Sequence, residues 1–158
     1  MKYHILALLW AVCLFAGCKK HGVSSQAVVD EARIKAYLTA NQIIAQQDSS
    51  GLFYDIINEG DSIHRPMLTS SITVNYMGTL LDGTIFASTT NSNDSTTTPI
   101  TLLLSQAVPG WQIGLQKITQ GGSILLIIPS ALGYGNKPAG PIPANAVLIY
   151  RIELLNVQ

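Results

Sequence analysis

The chain has 158 residues, 47% of them hydrophobic and 11% charged, with nine Lys and Arg balanced by nine Asp and Glu. That length suits one domain plus an appendage, and so apolar a composition excludes a disordered chain. No basic block follows Lys20, so the electrostatic footprint of a nucleic-acid-binding protein is absent.

The first residues read as a leader. Lys2 supplies a positive start, and "ILALLWAVCLFAG", Ile5 to Gly17, is an apolar run too short to span a bilayer and suited to a signal-peptide core. It ends in "AGC", which resembles a bacterial lipobox and predicts cleavage after Gly17 with acylation of Cys18. The alternative is an ordinary secretory signal or a short anchor in which Cys18 is incidental. Cys13 leaves with the leader, so an acylated Cys18 leaves no thiol for a disulfide, a metal site or a nucleophile. The expected organisation is a leader over 1–17, a lipidated cysteine with tether and helix over 18–50, and a folded domain over 51–158.

"KKHGVSSQ" reads as the tether. Ala27 to Gln47 lacks Gly and Pro and reads as a helix, capped by Ser24 or Ser25, with Asp30 and Glu31 favouring its N-terminal dipole. Its uneven stripe of Val28, Ile34, Tyr37 and Leu38 is expected to lean on the next domain, and "DSSG" over 48–51 breaks it. From Leu52 the texture turns to strands. "LFYDIIN" is followed by the alternating "SITVNYMGTLL", a hairpin signal at Asp82-Gly83, and a polar loop over 89–99. After the short strand "ITLLL", Trp111, Leu115 and Ile118 stand at helical spacing. "GGSILLIIP" reads as a buried strand and "SALGYGNKPAGPIPANA" as a long loop. "VLIYRIELLNV" places Leu148, Tyr150, Ile152 and Leu154 on one face of a closing strand. Many strands around one short helix argue for an α+β fold with an antiparallel sheet.

Conventional catalytic equipment is missing. Between Gly83 and Tyr150 the charged residues are Asp94, Lys117 and Lys137, which assemble neither a carboxylate pair nor a metal-ligand set. His64 stands alone in a loop, and "GYGNKPAG" lacks the Gly-Lys-Ser/Thr ending of a phosphate loop. One reaction suits an apolar pocket without acid, base, metal or cofactor: rotation about an X-Pro bond. Its barrier of ~18–20 kcal/mol comes from amide resonance. A water-poor pocket favours the twisted, less charge-separated state.

The segments "VNYMGTLLDGTIFAST", "AVPGWQIGLQKITQGGSILLIIPSALGYG" and "IPANAVLIYRIELL" together resemble the FKBP family of peptidyl-prolyl cis-trans isomerases, over about Gly51 to Leu155. The resemblance implies a twisted antiparallel sheet of about five strands wrapped around a short helix, here preceded by the N-terminal helix. It implies a pocket with Tyr76 and Phe86 as wall, Trp111 as floor and the Tyr134 hydroxyl meeting the substrate carbonyl, these four carrying catalysis. Leu102, Ala107, Val108, Ile142 and Tyr150 would complete the substrate site, Ala107 and Val108 through backbone groups, with Tyr150 where the family usually has phenylalanine. No metal or cofactor is implied. The family usually has aspartate directly after the pocket phenylalanine, where this chain has Ala87, so macrolides such as tacrolimus are expected to bind only weakly. Expected partners are proline-containing unfolded or exported proteins, and the membrane through Cys18. The protein is expected to be a monomer in the cell envelope, facing the periplasm, on the outer membrane since Lys19 rather than aspartate follows Cys18. A non-catalytic binding or chaperone module, weakened by Ala87, is the alternative.

Overall fold

The computed structural model describes residues 25–90 and 96–158. The leader, Cys18, the tether and part of the polar loop lie outside the described residues. Helix α1 spans Ser25–Ala40 and the short α2 Pro109–Leu115. Seven strands make one antiparallel sheet: β1 (Gln46–Gln47), β2 (Phe53–Asn58), β3 (Ser71–Leu80), β4 (Ile85–Ser88), β5 (Ile100–Leu103), β6 (Ser123–Ile128) and β7 (Leu148–Val157). The spatial order is β1-β2-β6-β7-β3-β4, with β5 also on β3. β3 pairs along its length with β7, while β5 meets Ser71–Val74 and β4 meets Met77–Thr79. The count exceeds the expected five because the two-residue β1 joins the edge and β3 takes two short partners.

The continuous apolar run of β6 follows from burial on both faces. Ile124, Leu126 and Ile128 face the main core with Trp111, Leu115 and Ile118, while Leu125 and Ile127 join Ile34 of α1 on the other side. Alternation in β7 splits the same way: Leu148, Tyr150, Ile152 and Leu154 point into the main core, and Ile149 toward α1. α2 lies close on β6 because two of its residues lack side chains. A Cβ on Gly110 would stand 2.6 Å from Ile128 and one on Gly114 2.5 Å from Leu126.

The N-terminal helix departs from its sequence reading in three ways. It ends at Ala40, not Gln47, because Gln42 takes a left-handed conformation (φ 55°). There Ile43 N–H bonds the Leu38 carbonyl (3.0 Å) and Gln42 N–H that of Thr39 (3.3 Å). This is a Schellman closure without the usual glycine, hence without a sequence signal. Gln46 and Gln47, expected in the helix, instead pair with Tyr54 and Phe53. The stripe does lean on the domain through Ile34, Tyr37 and Leu38, but Val28 is exposed and Asp30 takes the inward position one turn before Ile34.

Candidate active site

A cavity of about 280 Å³ opens where the sheet meets the N-terminus of α2, bordered by Tyr76, Ile100, Leu102, Gln106, Ala107, Val108, Trp111, Tyr134 and Tyr150. Each side chain arrives by a different element. β3 brings Tyr76, β5 brings Ile100 and Leu102, and β7 brings Tyr150. A 3₁₀ turn over Leu104–Gln106 leads to Ala107 and Val108 at the helix start, Pro109 occupies the first turn of α2, and Trp111 follows at the floor. Tyr134 comes from the long loop before β7 and is 42% exposed, so its ring stands at the rim.

The floor and walls are an aromatic cluster. Trp111 meets Tyr76 (centroids 5.1 Å, 79°) and Tyr150 (5.1 Å, 85°) edge-on, and Tyr150 lies 6.0 Å from Tyr76. Such contacts favour the ring quadrupoles beyond simple burial. No side chain bordering the cavity carries a charge. Its polar groups are few. The Trp111 Nε1–H is buried without a partner among the described residues. The Val108 N–H has no partner among the described residues, while the Ala107 carbonyl accepts from Gln112 Nε2 (2.7 Å). Burial, then the Tyr134 hydroxyl, raises the Tyr150 phenol well above its ordinary value of 10, and the same two causes raise Tyr76.

Seven of the nine pocket residues read from the sequence thus border one cavity, and two stand behind it. Phe86 packs edge-on against Tyr150 (5.4 Å, 85°) and supports the wall from outside. Ile142 is turned into the main core by a tight turn in which it exchanges hydrogen bonds with Ala139 (2.9 and 3.0 Å). Ile100 and Gln106 also border the cavity; alternation from Leu102 along β5 would have found Ile100, whereas Gln106 carries no distinguishing sequence signal. Ala87 pairs with Gly78 and does not border the cavity. Neither neighbouring hydroxyl bonds the Tyr76 hydroxyl among the described residues: Thr89 Oγ1 accepts from the Tyr76 backbone N–H (2.9 Å), and Ser88 Oγ accepts from Thr90 N–H (3.0 Å).

An antiparallel sheet wrapped over one short helix, with an uncharged aromatic cavity at its mouth, has the architecture of an FKBP domain. The chain belongs to the FKBP-type peptidyl-prolyl cis-trans isomerase family, whose profile matches residues 64–155. It is similar to the FKBP-type peptidyl-prolyl cis-trans isomerase FkpA of Buchnera aphidicola (Schizaphis graminum), with 46% identity over 70% of this chain and 42% of that protein. It is 36% identical to the outer membrane protein MIP of Legionella longbeachae, over 85% of this chain and 57% of the relative. The crystal structure of FkpA from Escherichia coli superposes with a TM-score of 0.71 at 34% identity, covering 84% of this chain and 61% of that one. The chain spans about half the length of the curated relatives it matches.

Proposed function

We propose that this protein is a peptidyl-prolyl cis-trans isomerase acting on X-Pro bonds of unfolded, exported proteins. The observation that carries the reading is the uncharged cavity floored by Trp111 and walled by Tyr76 and Tyr150. A prolyl ring seated on the indole removes water from the amide. Planarity keeps charge on the amide oxygen and nitrogen, and a dry aromatic wall disfavours that separation relative to the twisted state. In this reading the Val108 N–H and the Tyr134 hydroxyl hold the flanking carbonyls, so that rotation proceeds about one bond with the rest of the peptide fixed. Phe86 acts behind the wall by holding the Tyr150 ring. No bond is made or broken to the protein. The test is the relaxation rate of an Xaa-Pro tetrapeptide, which the purified protein is expected to accelerate.

The chain acts in the cell envelope in this reading, held through acylated Cys18 on the outer membrane and facing the periplasm. The leader, the "AGC" ending and Lys19 support it, as does the outer-membrane name of the Legionella relative. Among the described residues no helix is long and apolar enough to cross a membrane. Cys18→Ser is expected to release the protein from the membrane fraction or leave its precursor uncleaved, whereas normal maturation and membrane fractionation would remove the lipid anchor from the account. The protein acts as a monomer. The inward face of α1 is already spent on its own domain, and its outer face carries an exposed Glu31–Lys35 pair at 2.6 Å. A dimer by light scattering would overturn this.

A further inference from the structure

We propose that Asp30, on helix α1 and outside the pocket, is a positioning residue that sets Tyr134 through Ser130. This rests on the isomerase reading for its activity arm only. Asp30 is fully buried, yet no cation pairs with it among the described residues. Its charge is met by hydrogen bonds: Oδ2 accepts from the Ser130 N–H (2.9 Å) and the Ser130 hydroxyl (2.6 Å), and Oδ1 from Gln26 Nε2 (2.7 Å).

Ser130 passes the constraint on. Its carbonyl accepts the N–H groups of both Gly133 (3.0 Å) and Gly135 (2.8 Å), the two residues that flank Tyr134. Gly135 sits at φ 66°, and its own carbonyl accepts from Asn145 N–H (2.8 Å), which closes the loop onto the approach to β7. The backbone on either side of Tyr134 therefore hangs from one carbonyl. The residue that owns this carbonyl is fixed at its N–H and its hydroxyl by Asp30.

Attaching α1 to the domain does not require this. Ile34, one turn further along the same face, is fully buried among Phe53, Leu125 and Ile127 and supplies apolar attachment. A buried carboxylate costs far more desolvation than an apolar side chain, and what it adds is direction. Here the direction falls on the loop that presents a pocket hydroxyl. That makes α1 part of the site's scaffold rather than a passive tether.

The test compares Asp30→Ala with Ile34→Ala in the full chain, the second loosening α1 without touching Ser130. Amide exchange at Gly133 and Gly135 by NMR reads the loop without reference to activity. Asp30→Ala is expected to speed both amides about tenfold beyond Ile34→Ala at matched thermal stability, and to lower kcat/KM for an Xaa-Pro peptide by a similar factor. That kcat/KM loss is expected to vanish in a Tyr134→Phe background, where no hydroxyl remains to be placed. Asp30→Asn keeps an acceptor for Ser130 and should recover most of both effects. Ser130→Ala, which removes one of the two bonds, should show a smaller effect of the same pattern and serves if Asp30→Ala does not fold. Exchange no faster than in Ile34→Ala, or faster exchange with kcat/KM unchanged, would overturn the proposal. An inactive wild type would instead refute the isomerase reading, and the exchange comparison would still decide whether Asp30 sets the loop.

Discussion

The Tyr150 ring makes a T-shaped contact with the Trp111 indole, with centroids 5.1 Å apart at 85°, and a second with Phe86 at 5.4 Å and 85°. Tyr150 is therefore the link between the cavity floor and the wall behind it. Truncation to alanine is expected to cost ~3–5 kcal/mol by leaving a hole between three rings. Tyr150→Phe keeps every ring contact and gives up only the hydroxyl, so it should change stability by no more than about 1 kcal/mol. Denaturant unfolding of the two variants separates these outcomes.

Gly78 opens the space those rings occupy. A Cβ there would lie 2.6 Å from Phe86 Cε2 and 2.8 Å from Tyr150 Cε1. Gly78→Ala is expected to displace both rings, lose about 1–3 kcal/mol of stability, and lower isomerase activity by more than that loss of folded protein explains. Unfolding curves alongside kcat/KM check it. Unchanged activity in a destabilised variant would mean that Phe86 and Tyr150 are packing alone.

Alkaline pH tests the burial of the phenols. The fold favours neutral Tyr76 and Tyr150, whose folded pKa values lie above the value of 10 at which the unfolded chain ionises. Their contribution to stability is thus complete below about pH 10 and is lost as pH rises from there through the folded values. The melting temperature should fall above about pH 10, and Tyr150→Phe should flatten part of that fall relative to wild type.

Much of the site was legible because strands advertise their faces. Alternation placed Leu148, Tyr150, Ile152 and Leu154 together, and helical spacing grouped Trp111 with Leu115 on α2, whereas Ile118 joins the same core from beyond the end of that helix. Motif resemblance then put Tyr76 and Tyr134 beside them. What escaped lay in conformations without a residue signature. The left-handed Gln42 stops α1 where glycine would have announced it, and sends Gln46 and Gln47 into the sheet. Asp30 read as a dipole-favouring acid, because its buried partner Ser130 stands 100 positions on and leaves no local signal. Ile142 and Phe86 resembled pocket residues by motif, yet a tight turn and a flanking ring place them one layer back.

Ala87 does not border the cavity, but it stands where the family usually has aspartate, so macrolide binding is expected to be weak. Ser88 and Thr89 bond backbone groups, and among the described residues neither takes a carboxylate's place at the Tyr76 hydroxyl. Ala87→Asp is expected to raise affinity for a macrolide such as tacrolimus by ~10-fold, equivalent to about 1.4 kcal/mol, and isomerase activity by less. Calorimetric titration of both proteins measures the difference. Unchanged affinity in a folded Ala87→Asp protein would show that the missing carboxylate does not limit binding.

The most direct measurement is the cis-trans relaxation of an Xaa-Pro tetrapeptide with purified wild type and with Phe86→Ala, each checked for native circular dichroism. Removing the ring behind Tyr150 should unseat the aromatic wall without deleting any polar group that borders the cavity. The account predicts rate enhancement by wild type that is largely lost in Phe86→Ala. A folded wild type that binds unfolded protein yet leaves the relaxation rate at its uncatalysed value would contradict it, and would make the pocket a binding module instead.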